Sequence, residues 1–154
     1  MLTHADYFMT ALCVEREGRG EPREGQIAIA STVRNRTLMR HTTPYEEVIK
    51  PWAFTSITGK GDPNLTIFPP INDPLWINIQ ILSAGVLEGT IADPTEGATL
   101  YYNPLAIESK SVIHLSTGKV IAFPEKWNPD VVEFVIQIGA HYFFREVIAH
   151  ELSA

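Results

Sequence analysis

Apolar residues recur at steps of three and four from Ala5 through Phe8, Met9, Leu12 and Cys13, a spacing that lays one buried stripe along a helix. Thr3-His4-Ala5-Asp6 supplies its start, a hydroxyl cap followed three residues later by a carboxylate. Gly18 is expected to stop it by taking the left-handed conformation that a side chain disfavours. Ile27, Ala30, Val33 and Thr37 mark one face of a second helix, predicted over Arg23 to Met39 and opened by Pro22, whose missing N–H costs nothing in a first turn. Thr43-Pro44-Tyr45-Glu46 repeats the cap and carboxylate, so a short helix should follow and end before Pro51. Asp73-Pro74 opens another, with Leu75, Ile79, Leu82 and Val86 on one face and Gly89 past its end.

Elsewhere the pattern changes. From Trp52 to Asp73 the glycines at 59 and 61 and the prolines at 63, 69 and 70 leave room for no regular element, and a loop of that length in a compact domain is often a binding loop. Asp93-Pro94-Thr95-Glu96-Gly97-Ala98 reads as a turn, and Thr99 to Asn103 as a strand stopped by Pro104. Val112 to Leu115 and Val120 to Phe123 flank Ser116-Thr117-Gly118-Lys119, the layout of a hairpin. Val131 to Phe144 is ambiguous, nearly continuously apolar while Phe134, Ile136 and Ile138 alternate. Its β-branched and aromatic residues favour one strand, with Gly139 marking a bulge or a close approach, followed by a short helix or loose tail. The fold class expected is α+β, mainly helical, in a single domain over residues 1–154 with a small β hairpin and sheet region.

Composition narrows the chemistry. A chain of 154 residues with 45% hydrophobic and 19% charged residues can bury its own core without staples. The net charge of −6 argues against nucleic acid, which is bound through clustered Lys and Arg. Cys13 is the lone cysteine and falls on the apolar stripe, as a small buried hydrophobe would. No apolar run approaches the ~20 residues of a membrane span, and Asp6, Glu15 and Arg16 interrupt any signal peptide. A monomer made in the cytoplasm is expected; action elsewhere would need another route out or a longer precursor. Of the five histidines, none has zinc-ligand spacing with its neighbours, and His150-Glu151 lacks the second histidine a zincin needs. There is no phosphate-binding glycine loop and no Gly-x-Ser-x-Gly elbow. No metal and no cofactor are expected.

One stretch stands out as chemistry rather than scaffold. Glu17-Gly18-Arg19-Gly20-Glu21-Pro22 is an acidic, glycine-rich knot between two apolar helices. Glu17 is the last side chain of the first helix, beside carbonyls of partial negative charge, which together with burial favour a protonated carboxyl. A general acid at neutral pH needs that setting. The bland reading is a polar linker between two core helices.

The knot and three later blocks resemble the spore cortex-lytic enzyme family of cell-wall hydrolases. Glu17-Gly-Arg-Gly-Glu-Pro-x-x-Gly-Gln-x-Ala-x-Ala-x-x-Val-x-Asn-Arg is similar to its opening motif, and Trp52-Ala-Phe-Thr-Ser56 to its Trp-x-Phe-Ser segment. Asp93-Pro-Thr-x-Gly-Ala-Thr-x-Tyr-Tyr-Asn103-Pro104 resembles its Asp-Pro-Thr-x-Gly-Ala signature; Trp127 and Ile138-Gly-x-His141-x-Phe143 resemble its closing block. The chain departs in carrying Leu100 where many relatives have histidine, and Thr55 before Ser56 where serine often follows the phenylalanine. The resemblance implies a lysozyme-like domain that cleaves peptidoglycan glycan strands between N-acetylmuramic acid and N-acetylglucosamine, with Glu17 as the acid. It also implies a bare catalytic domain without a wall-binding module, as in some phage lysis proteins, so release or virion delivery would bring it to the wall.

Around the sugar the expected groups are Ser56, Tyr101, Tyr102, Asn103 and His141, with either tyrosine or His141 equally able to be core. Trp52 and Phe54 are open to sugar stacking or to burial. An inverting hydrolase would need a second carboxylate to activate water. Glu21, Asp93 and Glu96 are the candidates, but Glu21 reads as a cap of the second helix and Asp93 as an Asx turn. With none convincing, a lytic transglycosylase is favoured, in which Glu17 alone gives and retakes a proton. The alternatives are a muramidase, a non-catalytic glycan-binding or virion module, and a zinc-dependent amidase.

Overall fold

The computed structural model describes residues 1–107 and 110–147. The tail expected after Phe144 lies, from residue 148 onward, outside the described residues, as does His150. Five helices come first: α1 His4–Gly18, α2 Arg23–Arg40, α3 Pro44–Ile49, the single turn α4 Thr55–Thr58, and α5 Pro74–Glu88. Then come β1 Leu100–Tyr102, β2 Lys110–His114, β3 Val120–Pro124, β4 Val132–Ile138 and β5 His141–Glu146. The helix starts follow the sequence closely. Thr3 with Asp6, and Thr43 with Glu46, form reciprocal capping boxes, and Asp73 caps α5 through the Leu75 N–H.

Gly18 ends α1 for a reason other than the one expected. Its backbone is not left-handed, and Arg19, which caps the helix, is also right-handed. A Cβ at Gly18 would stand 2.5 Å from the Ile29 Cδ1 of α2. Glycine is there to let the two helices touch at the knot, not to break the first one.

The middle of α2 is covered on every side, while Leu38 and Met39 near its end are exposed. Ala28, Ile29, Ala30, Ser31, Thr32 and Val33 are all buried, so the single face read from Ile27, Ala30, Val33 and Thr37 understates it. α1, α3, α5 and β4 surround it. On α1 burial is concentrated in the C-terminal half, from Thr10 to Glu15, while Ala5 is exposed and Phe8 lies edge-on to Trp76 at 6.1 Å.

The run from 131 to 144 is a hairpin rather than one strand. β4 and β5 pair antiparallel about a turn at Gly139-Ala140, and β1 adds to the other edge of β5, giving the order β1-β5-β4. Gly139 has φ 56°, and a Cβ there would run into the Glu21 carboxylate, so the close approach expected of it is real. An irregularity in register falls between Phe134 and Ile136. The run looks continuous because β5 is covered on both faces from Tyr142 to Phe144, while β4 keeps Glu133 and Gln137 exposed. Ile138 and Phe143 pack against the helices, while Phe144, Phe134 and Tyr142 face the β2-β3 hairpin with Tyr102, Ile121 and Phe123.

Candidate functional site

Three elements converge on Glu17. It sits in the last turn of α1, half-buried between the buried Glu15 and Gly18. Ser56, 1% exposed on α4, donates its hydroxyl to Glu17 Oε1. Tyr101, the middle residue of β1, donates to Glu17 Oε2 at 3.3 Å. Each carboxyl oxygen thus faces one hydroxyl, which fixes the plane of the group. Burial first, and then the neighbouring Glu17, push the Tyr101 phenol well above its ordinary range, so it stays protonated as a donor.

Glu17 opens into a cleft of about 460 Å³ lined also by Arg16, Glu21, Asp62, Asn64 and Tyr101. Tyr102, Asn103 and His141 also line it. The expected residues therefore meet in one place, with distinct surroundings. Tyr102 is buried and spends its hydroxyl on the Ala122 carbonyl at 2.7 Å, and it stacks on Phe144 at 5.5 Å. Neighbours on a strand point to opposite faces, so only one of the two tyrosines can address Glu17. Asn103 Oδ1 accepts the Leu105 N–H at 2.9 Å, an Asx turn that ends β1.

His141 lies edge-on to Tyr101 at 5.2 Å, with Nδ1 3.5 Å from Glu21 Oε1 and no hydrogen bond to that nitrogen. Burial lowers its pKa, against the pull of Glu21 and Glu17, so the ring favours its neutral form. Glu21 does not cap α2: the cap position is Pro22, without a side-chain bond. Instead Glu21 Oε2 accepts the Ala140 N–H at 3.1 Å, tying the knot to the β4-β5 turn.

Asp93 and Glu96 line no part of this cleft. Asp93 accepts from the Thr95 N–H at 2.7 Å, the Thr95 hydroxyl at 2.6 Å, the Gly97 N–H at 2.9 Å and the Asn35 amide at 2.8 Å. It is the Asx turn expected, extended to a clasp on α2. Glu96 is exposed at φ 51° in the same turn. Phe54 is core, 3% exposed beneath the ring-facing Arg36, whereas Trp52 stands 76% exposed with φ 65°.

Sequence reasoning missed Arg16, Asp62 and Asn64 as lining groups. The loop from 52 to 73 was the available signal, and it does furnish Thr55, Asp62 and Asn64 to the cleft. Regularity within it, α4 and a 3-10 turn over Pro63–Thr66, was hidden by its prolines and glycines. A larger hollow of about 1250 Å³, bounded by Asn35, Met39, Glu133 and Val147 among others, shares no residue with the Glu17 cleft. Among the described residues no three His, Cys, Asp or Glu cluster as metal ligands would, and no helix is long and apolar enough to cross a membrane.

Two solved structures are similar over most of the chain. The catalytic domain of the germination-specific lytic transglycosylase SleB from Bacillus anthracis matches with a TM-score of 0.64 at 26% identity, covering 92% of this chain and 95% of that one. The catalytic domain of the Bacillus cereus SleB protein matches with a TM-score of 0.63 at 25% identity, covering 93% and 91%. No curated protein matches in sequence. The model of the cell wall hydrolase family matches residues 20–144, beginning just after Glu17, and the chain belongs to that family.

Proposed function

We propose that this protein cleaves the glycan strands of peptidoglycan as a lytic transglycosylase, with Glu17 as its general acid and base. The observation that carries the reading is the Glu17 carboxyl in the lining of a cleft, held by the hydroxyls of Ser56 and Tyr101. Family membership and the likeness to a lytic transglycosylase domain support it.

In the first step Glu17 gives its proton to the glycosidic oxygen as the bond from C1 of the muramic acid ring breaks and that ring gains oxocarbenium character. In the second, the ionised Glu17 takes the proton of the same ring's C6 hydroxyl while O6 bonds to C1, closing a 1,6-anhydro ring. Glu17 ends as it began, and no water is consumed. Ser56 and Tyr101 stabilise the carboxylate between the two steps, and hold it in place for both.

A muramidase is the second reading, because Glu21 and Asp62 lie in the same cleft. Glu21 accepts the Ala140 N–H at 3.1 Å and Asp62 the Asn64 N–H at 2.8 Å, which leaves each carboxylate acceptor sites for a water; the likeness to a lytic transglycosylase domain favours the single-carboxylate route. Mass spectrometry of the fragments released from purified peptidoglycan, by wild type and by Glu17→Gln, tests this. Anhydromuramoyl ends that vanish in the mutant are expected. Reducing muramoyl ends would overturn the transglycosylase in favour of the hydrolase, and no glycan fragments at all would overturn both.

A further inference from the structure

The helix that carries Ser56 is one turn long. So short a helix is not stable by itself, and its N-cap residue, Phe54, gives no side-chain cap. The place of the Ser56 hydroxyl against Glu17 therefore comes from contacts elsewhere. One is Phe54, sunk in the core with Cys13, Val33 and Val48. The other is Arg16, the residue before Glu17.

Arg16 spends all three guanidinium nitrogens on one segment. Nη1 donates to the Ser56 carbonyl at 2.9 Å, Nη2 to the Leu65 carbonyl at 3.0 Å, and Nε to the Ile67 carbonyl at 3.1 Å. Its guanidinium lies 4.9 Å from the centre of the Phe68 ring. The Ser56 carbonyl has no partner within α4, because it belongs to the last turn of a helix. A planar fork reaches three carbonyls spread over two turns from three separate nitrogens; the three donors of a lysine all radiate from one nitrogen and do not span them.

We propose that Arg16 is the positioning residue of this site. It fastens residues 55–67 as one wall of the cleft, and so holds the Ser56 hydroxyl on Glu17 and keeps Asp62 and Asn64 along the wall. Since Arg16 and Glu17 are consecutive in α1, the wall and the acid are registered to the same helix turn. The inference rests on the catalytic role given to Glu17 above.

Two readouts on the full chain test it. The first is the rate of anhydromuramoyl release from soluble, uncross-linked glycan strands by wild type, Arg16→Lys, Ser56→Ala and the double variant. Arg16→Lys should lower kcat by about tenfold to a hundredfold, as misplacement of a catalytic group does. KM should change far less. In the Ser56→Ala background the same change should cost less than about threefold, because the two act through one contact. The second readout is amide hydrogen exchange, in which Arg16→Lys should quicken exchange over 55–67 and leave α1 and α5 protected as in wild type. An unchanged kcat, or an equal loss of rate in both backgrounds, would overturn the proposal. If wild type released no glycan ends, the function above would fail by itself. The tether would then be judged by exchange, and unaltered protection of 55–67 would overturn it.

Discussion

Asp93→Ala separates scaffold from chemistry in a family whose signature begins at that residue. Asp93 was one of three carboxylates that could have activated water; the structure gives it four donors and no place in the cleft. Removing it strands the Thr95 N–H and hydroxyl, the Gly97 N–H and one proton of the Asn35 amide. At about 1 kcal/mol for each bond, less what water repays at the half-buried rim, the loss is about 3 kcal/mol. For a chain of this size that lowers Tm by about 10 °C.

The acid limb gives an independent check. Burial pushes the Asp93 carboxyl up, but the bonds from Thr95, Asn35 and Gly97 outweigh it and leave the pKa below its ordinary value. A depressed folded pKa contributes stability that is present above the unfolded value, near pH ~3.9, and is lost as pH falls through the folded value. The gap in Tm between wild type and Asp93→Ala, followed by circular dichroism, should thus narrow below about pH 4. Activity should fall only as far as loosening of the turn before β1 displaces Tyr101. A variant that keeps its Tm but loses glycan cleavage would refute the reasoning and make Asp93 a chemical participant.

Other consequences follow from the same geometry. Tyr101→Phe should lower kcat by about tenfold with little change in Tm, while Tyr102→Phe should lose about 1 kcal/mol of stability, read by urea unfolding, and keep its activity. Gly139→Ala must hold a side chain at φ 56° against Glu21 and Pro22, at a cost of about 2 kcal/mol in thermal unfolding. His141, facing Tyr101, Glu21 and Glu17, has a folded pKa below the unfolded ~6.5, so the unfolded chain binds the proton first. Stability should therefore decline as pH falls below about 6.5, and His141→Gln should flatten that part of a Tm-against-pH curve.

Much of the fold could be read locally. The capping boxes at Thr3 and Thr43, the Asp73 cap and the Gly89 terminus are short-range chemistry, complete within four or five residues. Glu17 was legible for the same reason, since a helix end followed by a glycine-rich turn presents its last carboxyl to whatever lies beyond. The hairpin of β4 and β5 was not: Phe134, Ile136 and Ile138 alternate as a strand should, but β5 is apolar on both faces from Tyr142 to Phe144, so the two strands ran together across the turn.

The division of labour among the site residues belonged to the tertiary structure. Tyr101 and Tyr102 are chemically identical and adjacent, and the pleat alone sends one to Glu17 and the other to the β2-β3 hairpin. Nothing near Gly18 in the sequence announces Ile29, nor anything near Gly139 the carboxylate of Glu21. Arg16 reads as an ordinary charge on a helix until the carbonyls of Ser56, Leu65 and Ile67 are brought around it. Caps and stripes depend on neighbours along the chain, so the amino-acid sequence determined where α1, α2, α3 and α5 lie and which carboxyl ends the first of them. Which hydroxyls reach that carboxyl, and what holds them there, depended on contacts between residues 39 to 84 positions apart, which only packing decided.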